Sequence, residues 1–351
     1  MILNNLVFNA DKVVGSQYPT FIIAEVGQNH QGDLQIAKNL IKKAKECGAD
    51  CVKFQKSCLP EKFTKSTLNL TYNSEHSWGK TYGEHKKHLE FSEKQYIELQ
   101  KFSTELGIMF SASAMDEVSL FFLKELNTPF IKIGSGDATN ILLLEKAAKT
   151  RKPLIVSTGM CSMEDVELIY KTISEEHNNF ALLHCVSSYP TKPCDSNLAN
   201  ITKFKSKFPV CIGYSGHEVG YNLTLAAVAL GAKIVERHIT LDKTWKGNDH
   251  SCSLNIDEFK SMVLAIREIE DGMGMEKKLL PCEEVCWQKL GKSIVAFRKI
   301  EKNSIIVIED LAIKVSTPKG LDPKLIKSIV GRKTSTTIEA DNPITEDELV
   351  W

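Results

Sequence analysis

VCIGYSGHEVGYNLTLAAVALGAKIVERHIT, residues 210–240, holds one full turn of the pattern that governs this chain. Val210, Cys211 and Ile212 open an apolar run that becomes small and polar at Ser215 and His217. Residues 221–231 then carry apolar side chains at helical spacing, and KIVERHIT (233–240) begins a second β-rich run that ends around Glu236 and His238. Strands apolar through their first half are buried on both faces, as in a parallel sheet whose crossovers are helices.

Outward from this unit the rhythm repeats. FIIAEVG (21–27), DCVKFQ (50–55), IMFSASA (108–114), FIKIGSG (130–136), PLIVSTG (153–159) and FALLHCVS (180–187) precede the two runs above. Helical periodicity follows each, at 34–48, 93–107, 117–126, 142–150, 163–173, 221–231 and 256–272, and more weakly at 197–208. Strand-helix units in that number, over about 250 residues, predict an α/β fold of the (β/α)8 TIM-barrel type. A doubly wound open sheet is the alternative, but it would rarely need so many units without a dinucleotide fingerprint. The connection 57–92 is long and weakly periodic, and reads as a cover over the barrel mouth. Past residue 272 the pattern changes to a linker with a short helix and then short strands between charged turns. The expected organisation is a catalytic barrel over 1–275, a linker over 276–290 and a small β-rich module over 291–351, near the lower limit for independent folding.

Composition excludes several functions. Lys and Arg total 44 and Asp and Glu total 44, whereas nucleic-acid proteins concentrate basic residues to displace counterions. The first residues lack a signal-peptide pattern, and no apolar run approaches the roughly 18 residues of a membrane span. A soluble, cytoplasmic protein with no nucleic-acid or membrane partner is expected. The ten cysteines form no CxxC pair and read as buried thiols of a reducing compartment.

The strand tips carry the chemistry, because barrel sites are built at the C-terminal ends of the strands. His217 and His238 end consecutive strands, each beside a carboxylate (Glu218, Glu236), and can share a divalent ion in an open site completed by water and substrate. An ordinary polar cap is the alternative for either alone, and Asp249 can reach the same place. Lys53 and Lys132 end apolar strands, where a lysine needs an anion or carboxylate partner. With Ser135, Ser157 and Ser215 beside glycines they suit a phosphate and carboxylate cradle, although each serine alone is as readily a turn residue. Either lysine can instead be read as a Schiff-base nucleophile. Glu25 has three open roles: general base, acceptor from sugar hydroxyls, or partner of a lysine. Gln55 and Tyr189 add uncharged hydrogen-bonding groups.

FIIAEVGQNHQGD, CVKFQKS, FIKIGSGDATN, IVSTGM, YSGHEVG, VERHITLD and NDHSCSL, in this order and spacing, resemble the sialic acid synthase family. KECGAD, HSWGKTYGEHK, LDKTWKG and LGKS are particularly similar to its animal branch, and the stretch from KLGKSIVAFRKI to the carboxyl end resembles the family's antifreeze-like (SAF) domain. The resemblance implies condensation of phosphoenolpyruvate with an amino-sugar aldehyde. The animal branch implies N-acetylmannosamine 6-phosphate, with the free sugar or mannose 6-phosphate as alternatives. It implies a divalent metal, Mn2+ or Mg2+ with Co2+ a further choice, on His217 and His238. Phosphoenolpyruvate would lie against Lys53, Lys132, Ser135, Ser157 and Ser215. The sugar would face Glu25, Gln55, Ser113, Asp137, Tyr189 and Asp249, with Glu25 carrying the proton. Its sugar phosphate would meet Lys80, His85 or Lys86, for which a solvated loop is the plainer reading.

A homodimer is also implied, with each SAF domain covering its partner's site. Bacterial members contribute an arginine there, but the matching stretch here, IKVSTPKG, has none, and Lys319 is the candidate substitute. Ser187 and Asp137 stand where bacterial members have asparagine and glutamate. A barrel metallohydrolase, a Schiff-base lyase and a non-catalytic sugar- or ice-binding protein remain as competing readings.

Overall fold

The computed structural model describes residues 5–274 and 276–351. Residues 1–4, the start of the amino-terminal stretch read above, and Met275, the expected end of the barrel, lie outside the described residues. Two compact units divide between residues 274 and 275.

The larger unit opens with a hairpin, β1 (Leu6–Asn9) and β2 (Lys12–Val14). Eight parallel strands follow: β3 (Phe21–Gly27), β4 (Cys51–Lys56), β5 (Met109–Ala114), β6 (Ile131–Ile133), β7 (Leu154–Ser157), β8 (Phe180–Cys185), β9 (Cys211–Gly216) and β10 (Ile234–His238). β10 pairs with both β9 and β3, closing a barrel in sequence order. Each expected run contains one strand. β6 is the most shortened, because the chain leaves the sheet at Gly134 and Ser135–Asp137 form a 3-10 turn.

Helix boundaries follow local chemistry. Asp33 caps Leu34–Glu46 by accepting from the Gln35 and Ile36 N–H groups, and the helix buries Ala37, Leu40, Ile41 and Ala44, one stripe at helical spacing. The last barrel helix, Ile256–Gly272, starts on a reciprocal cap between Asn255 and Glu258.

Alternation along the strands sorts side chains into two layers. Phe21, Ile23, Cys51, Phe130, Ile155, Leu183, Cys211 and Ile234 fill the barrel interior at the strand starts, where Leu6 and Val14 of the hairpin pack beneath them. The alternate residues, Ile22, Val52, Val156, Leu182 and Ile212 among them, pack outward against the helices. The hairpin was not anticipated, since strands of four and three residues are too short to show a period. Its backbone is tied down by the Asn179 amide, which both accepts from and donates to Val7 at 2.8 Å.

In the smaller unit, β11 (Lys292–Ala296) pairs with β12 (Leu311–Val315), and β13 (Lys333–Thr334) with β14 (Leu349–Val350), all antiparallel. Ile294, Ile300, Ile306, Ile329, Ile338 and Ile344 form most of its core. Segment 276–290 holds the short helix Glu284–Leu290 and groups with this unit.

Uniformly buried thiols were expected, and Cys194, Cys282 and Cys286 depart from this by being exposed. They lie in short helical turns that present no face to either core. Among the described residues no helix is long and apolar enough to cross a membrane.

Candidate active site

Residues paired across a parallel sheet point to the same face, so register assembles the site. His238 lies opposite Glu25, and Glu25 opposite Lys53. Gln55 lies opposite Ser113, and Ser113 opposite Lys132, while Glu236 is opposite Ser215. All face inward above the apolar layer and line the floor of a cavity of about 530 Å³.

The floor is a buried network of four charges. Lys53 Nζ is 2.6 Å from Glu25 Oε2 and donates to Ser113 Oγ at 2.9 Å. Lys132 Nζ donates to Ser157 Oγ at 2.8 Å and to the Ile133 carbonyl at 3.1 Å. Glu236 Oε1 stands between the lysines, 3.6 Å from Lys53 and 3.7 Å from Lys132, and accepts from Ser215 Oγ at 3.4 Å. Its Oε2 is buried without a hydrogen-bond partner. The sequence reading placed Glu236 only beside the histidines; its position between two lysines follows from strand pairing, which adjacency in sequence does not reveal.

Burial acts differently on the two carboxyls. Desolvation pushes Glu25 up to about 7 against the pull of Lys53, with repulsion from Glu236 adding to the rise. Desolvation also works to raise Glu236, but Lys132 and Lys53 together overrule it and hold that carboxyl below its ordinary value. Lys53, although buried, is raised by Glu236 and Glu25, whereas burial keeps Lys132 below the usual lysine range. Two carboxyls sharing one site are thereby driven apart, one held ionised and one able to exchange a proton near neutrality.

The imidazoles of His217 and His238 stand 5.5 Å apart, centroid to centroid. His217 Nδ1–H donates to the Val186 carbonyl at 3.0 Å, which leaves Nε2 with a free lone pair. His238 Nδ1 is buried with no hydrogen-bond partner; Asp249 Oδ2 lies 3.9 Å away, and burial draws this histidine's pKa down. The unpartnered ring nitrogen of His238 and the Nε2 of His217, at one mouth, fit a divalent cation. Among the described residues no group of three or more His, Cys, Asp and Glu side chains is arranged to hold one. The donor set therefore fits an open site with water or substrate completing the shell.

Glu218 does not share this role. Its carboxylate turns outward to Arg237 Nη1 at 2.6 Å, because residues 236 and 238 face the cavity and 237 faces the helices.

A family model described as the NeuB family matches residues 40–278, and one for the SAF domain matches residues 291–350. This chain belongs to the NeuB family. It is 53% identical over 336 residues to human N-acetylneuraminate-9-phosphate synthase, spanning 95% of this chain and 94% of that protein. The Drosophila melanogaster protein of that name is 49% identical over 376 residues, covering 100% of both chains. Among solved structures, the sialic acid synthetase of Leptospira borgpetersenii serovar Hardjo-bovis in complex with citrate has a TM-score of 0.71 and 34% identity, over 82% of this chain and 97% of that one.

In this NeuB-family chain the remaining expected residues divide by position. Ser135, Asp137, Tyr189 and Asp249 line the cavity with the floor groups. Ser135 Oγ accepts from the Gly159 N–H at 3.0 Å, and a Cβ on Gly159 would fall 2.7 Å from that oxygen and 2.2 Å from Ser187 Oγ, so a larger residue there would push both hydroxyls from their places. The Tyr189 ring lies 4.1 Å from that of His217. The connection 57–92, which forms the helix Tyr82–Leu89 and two shorter ones, brings His85 and Lys86 to the cavity wall.

One expected contact is not brought there. Lys80 is exposed and outside the cavity lining; its backbone N–H is tied to the Glu84 carboxylate, which caps the helix. Lys319, expected at a partner's site, bonds the Gly291 carbonyl within the smaller unit and lies over the Trp287 ring at 5.6 Å. Conversely Lys62, Trp78 and Lys246 line the cavity unforeseen. No period marks them, since they sit at turns and on helices of one or two windings.

Proposed function

We propose that this chain condenses phosphoenolpyruvate with N-acetylmannosamine 6-phosphate and water, giving N-acetylneuraminate 9-phosphate and phosphate. The carrying observation is the buried Glu25–Lys53–Glu236–Lys132 network beside His217 and His238, in a chain 53% identical to the human synthase.

Lys53 and Lys132, aimed by Ser113 and Ser157, hold anionic phosphoenolpyruvate with Ser135 and Ser215 at its flanks. Its methylene carbon forms the new bond to the open-chain aldehyde carbon, and the aldehyde oxygen takes a proton. Water adds at the carbon bearing phosphate, and phosphate leaves as that carbon becomes the ketone. Glu25 carries the proton lost by the water, a task suited to a carboxyl near 7. A divalent ion on His217 and His238, Mn2+ or Mg2+ with Co2+ as an alternative, supplies Lewis-acid polarisation of the aldehyde when bound. Gln55, Asp137, Tyr189 and Asp249 orient the sugar. The enzyme works as a cytoplasmic homodimer, each SAF domain covering the partner's mouth.

Phosphate release with phosphoenolpyruvate, Mn2+ and each of three sugars tests this. N-acetylmannosamine 6-phosphate should be turned over faster than N-acetylmannosamine or mannose 6-phosphate, and no release with any of them would refute the reaction. The pH profile offers a separate check. Because the working form of Glu25 is the carboxylate, kcat/KM should rise with pH through about 7 and fall as pH drops below it. A profile flat from pH 5.5 to 8.5 would remove Glu25 from the proton path.

A further inference from the structure

We infer that Lys62 and Lys86, with Lys246 at the rim, form a second anion subsite that receives the phosphate at the far end of the sugar and sets the preference for a phosphorylated substrate. The inference rests on the reaction proposed above and adds the part of the protein that reads the substrate's tail.

All three line the same cavity as the floor network, but on its wall. Lys62 and Lys86 arrive on the 57–92 connection, half-buried, and Lys246 comes from the stretch after β10, exposed. Their partners are uncharged. Lys62 Nζ donates to the Met115 thioether at 2.7 Å and lies over Phe63 at 5.1 Å. Lys86 Nζ donates to Gln28 Oε1 at 3.0 Å and lies over Tyr82 at 5.5 Å. Lys246 Nζ lies over Trp78 at 4.5 Å.

Asp137 and Asp249, on the same lining, attract Lys62 and Lys86 from a distance without pairing with either, and the next nearest carboxylates are committed elsewhere. Glu90 is held by Lys56 at 2.5 Å, and Asp116 accepts from the Cys58 N–H at 2.6 Å and from Ser119. The contrast with the floor decides the reading: there two lysines face two glutamates, here half-buried ammoniums rest on thioether, amide and aromatic faces. Burial lowers the pKa of both Lys62 and Lys86, and repulsion from Lys86 lowers that of Lys62 further, so a dianion between them would offset the cost of holding these cations together.

His85 completes the wall as a neutral donor. Burial, with Lys86 and Lys246 near, pushes it down to about 4. Its Nδ1 accepts from the Trp78 backbone N–H at 3.3 Å, which leaves the ring proton on Nε2. Cations plus a neutral N–H donor suit a phosphate monoester better than a hydroxyl.

The test is titration calorimetry of the full-length, Mn2+-loaded protein with two non-reacting ligands, N-acetylmannosaminitol 6-phosphate and N-acetylmannosaminitol. The wild type should bind the phosphorylated alditol more tightly by about tenfold or more, the size of one charge-assisted hydrogen bond. That preference should fall by about tenfold in Lys62→Gln and in Lys86→Gln, and by less in Lys246→Gln, at an exposed site where folding is not at stake. Lys80→Gln should leave it intact. Equal affinities in the wild type, or a preference that survives all three variants, would overturn the subsite. Preference without phosphate release from any sugar keeps the subsite and defeats the reaction; turnover without preference does the reverse.

Discussion

His217→Ala should reduce phosphate release by about 10^3-fold or more, and His238→Ala by a similar factor. Lewis-acid stabilisation of developing charge is worth several kcal/mol, and each 1.36 kcal/mol is a factor of ten in rate. With two proposed protein donors at the mouth, losing either would leave half the protein's share of the shell. The His217 ring bonds the Val186 carbonyl and touches Tyr189, and neither contact is a strut of the barrel, so circular dichroism and the melting temperature should change little. Titration of Mn2+ into each variant gives a readout independent of turnover: wild-type affinity in His217→Ala, or activity within tenfold of wild type, would sink the metal assignment. Loss of both with an intact fold is the expected result.

The barrel and its mouth were legible in the sequence because both obey a simple period. Strands apolar at their starts and polar at their tips could only be closed into a barrel with the tips together, and Glu25, Lys53, Lys132 and both histidines are tip residues. The partnership of Glu236 with two lysines was not legible. It depends on which strand lies across from which and on the stagger between them, information that exists only once β10 closes against β3. Glu218 shows the converse, a residue next to His217 in sequence that belongs to another layer. The cationic wall was half-read. Residues 80–86 announce a basic cluster, but the capped helix at Tyr82 turns Lys86 inward and leaves Lys80 outside, while Lys62 arrives from a short helix that no periodicity predicts.

Arg237→Ala should be strongly destabilising, costing about 3–5 kcal/mol, the usual penalty for stranding one member of a buried ion pair. Arg237 is fully buried, with Nη1 donating to Glu218 Oε1 at 2.6 Å and to Thr224 Oγ1 at 2.7 Å, and Nη2 to the Glu218 carbonyl at 2.7 Å. Removing it leaves a carboxylate between a strand and a helix with only the Tyr214 and Thr224 hydroxyls to satisfy it. Urea denaturation should show a lower midpoint at an unchanged slope. Arg237→Met combined with Glu218→Gln should recover much of the loss, because removing both charges removes the desolvation penalty along with the attraction. A double variant as unstable as the sum of its parts would mean the pair acts through shape and not charge. Arg237 also lies between Glu236 and His238, so any shift of β10 that the single variant permits displaces a floor carboxylate and a proposed cation ligand together. The double variant should therefore regain activity in step with stability, although neither Arg237 nor Glu218 lines the cavity.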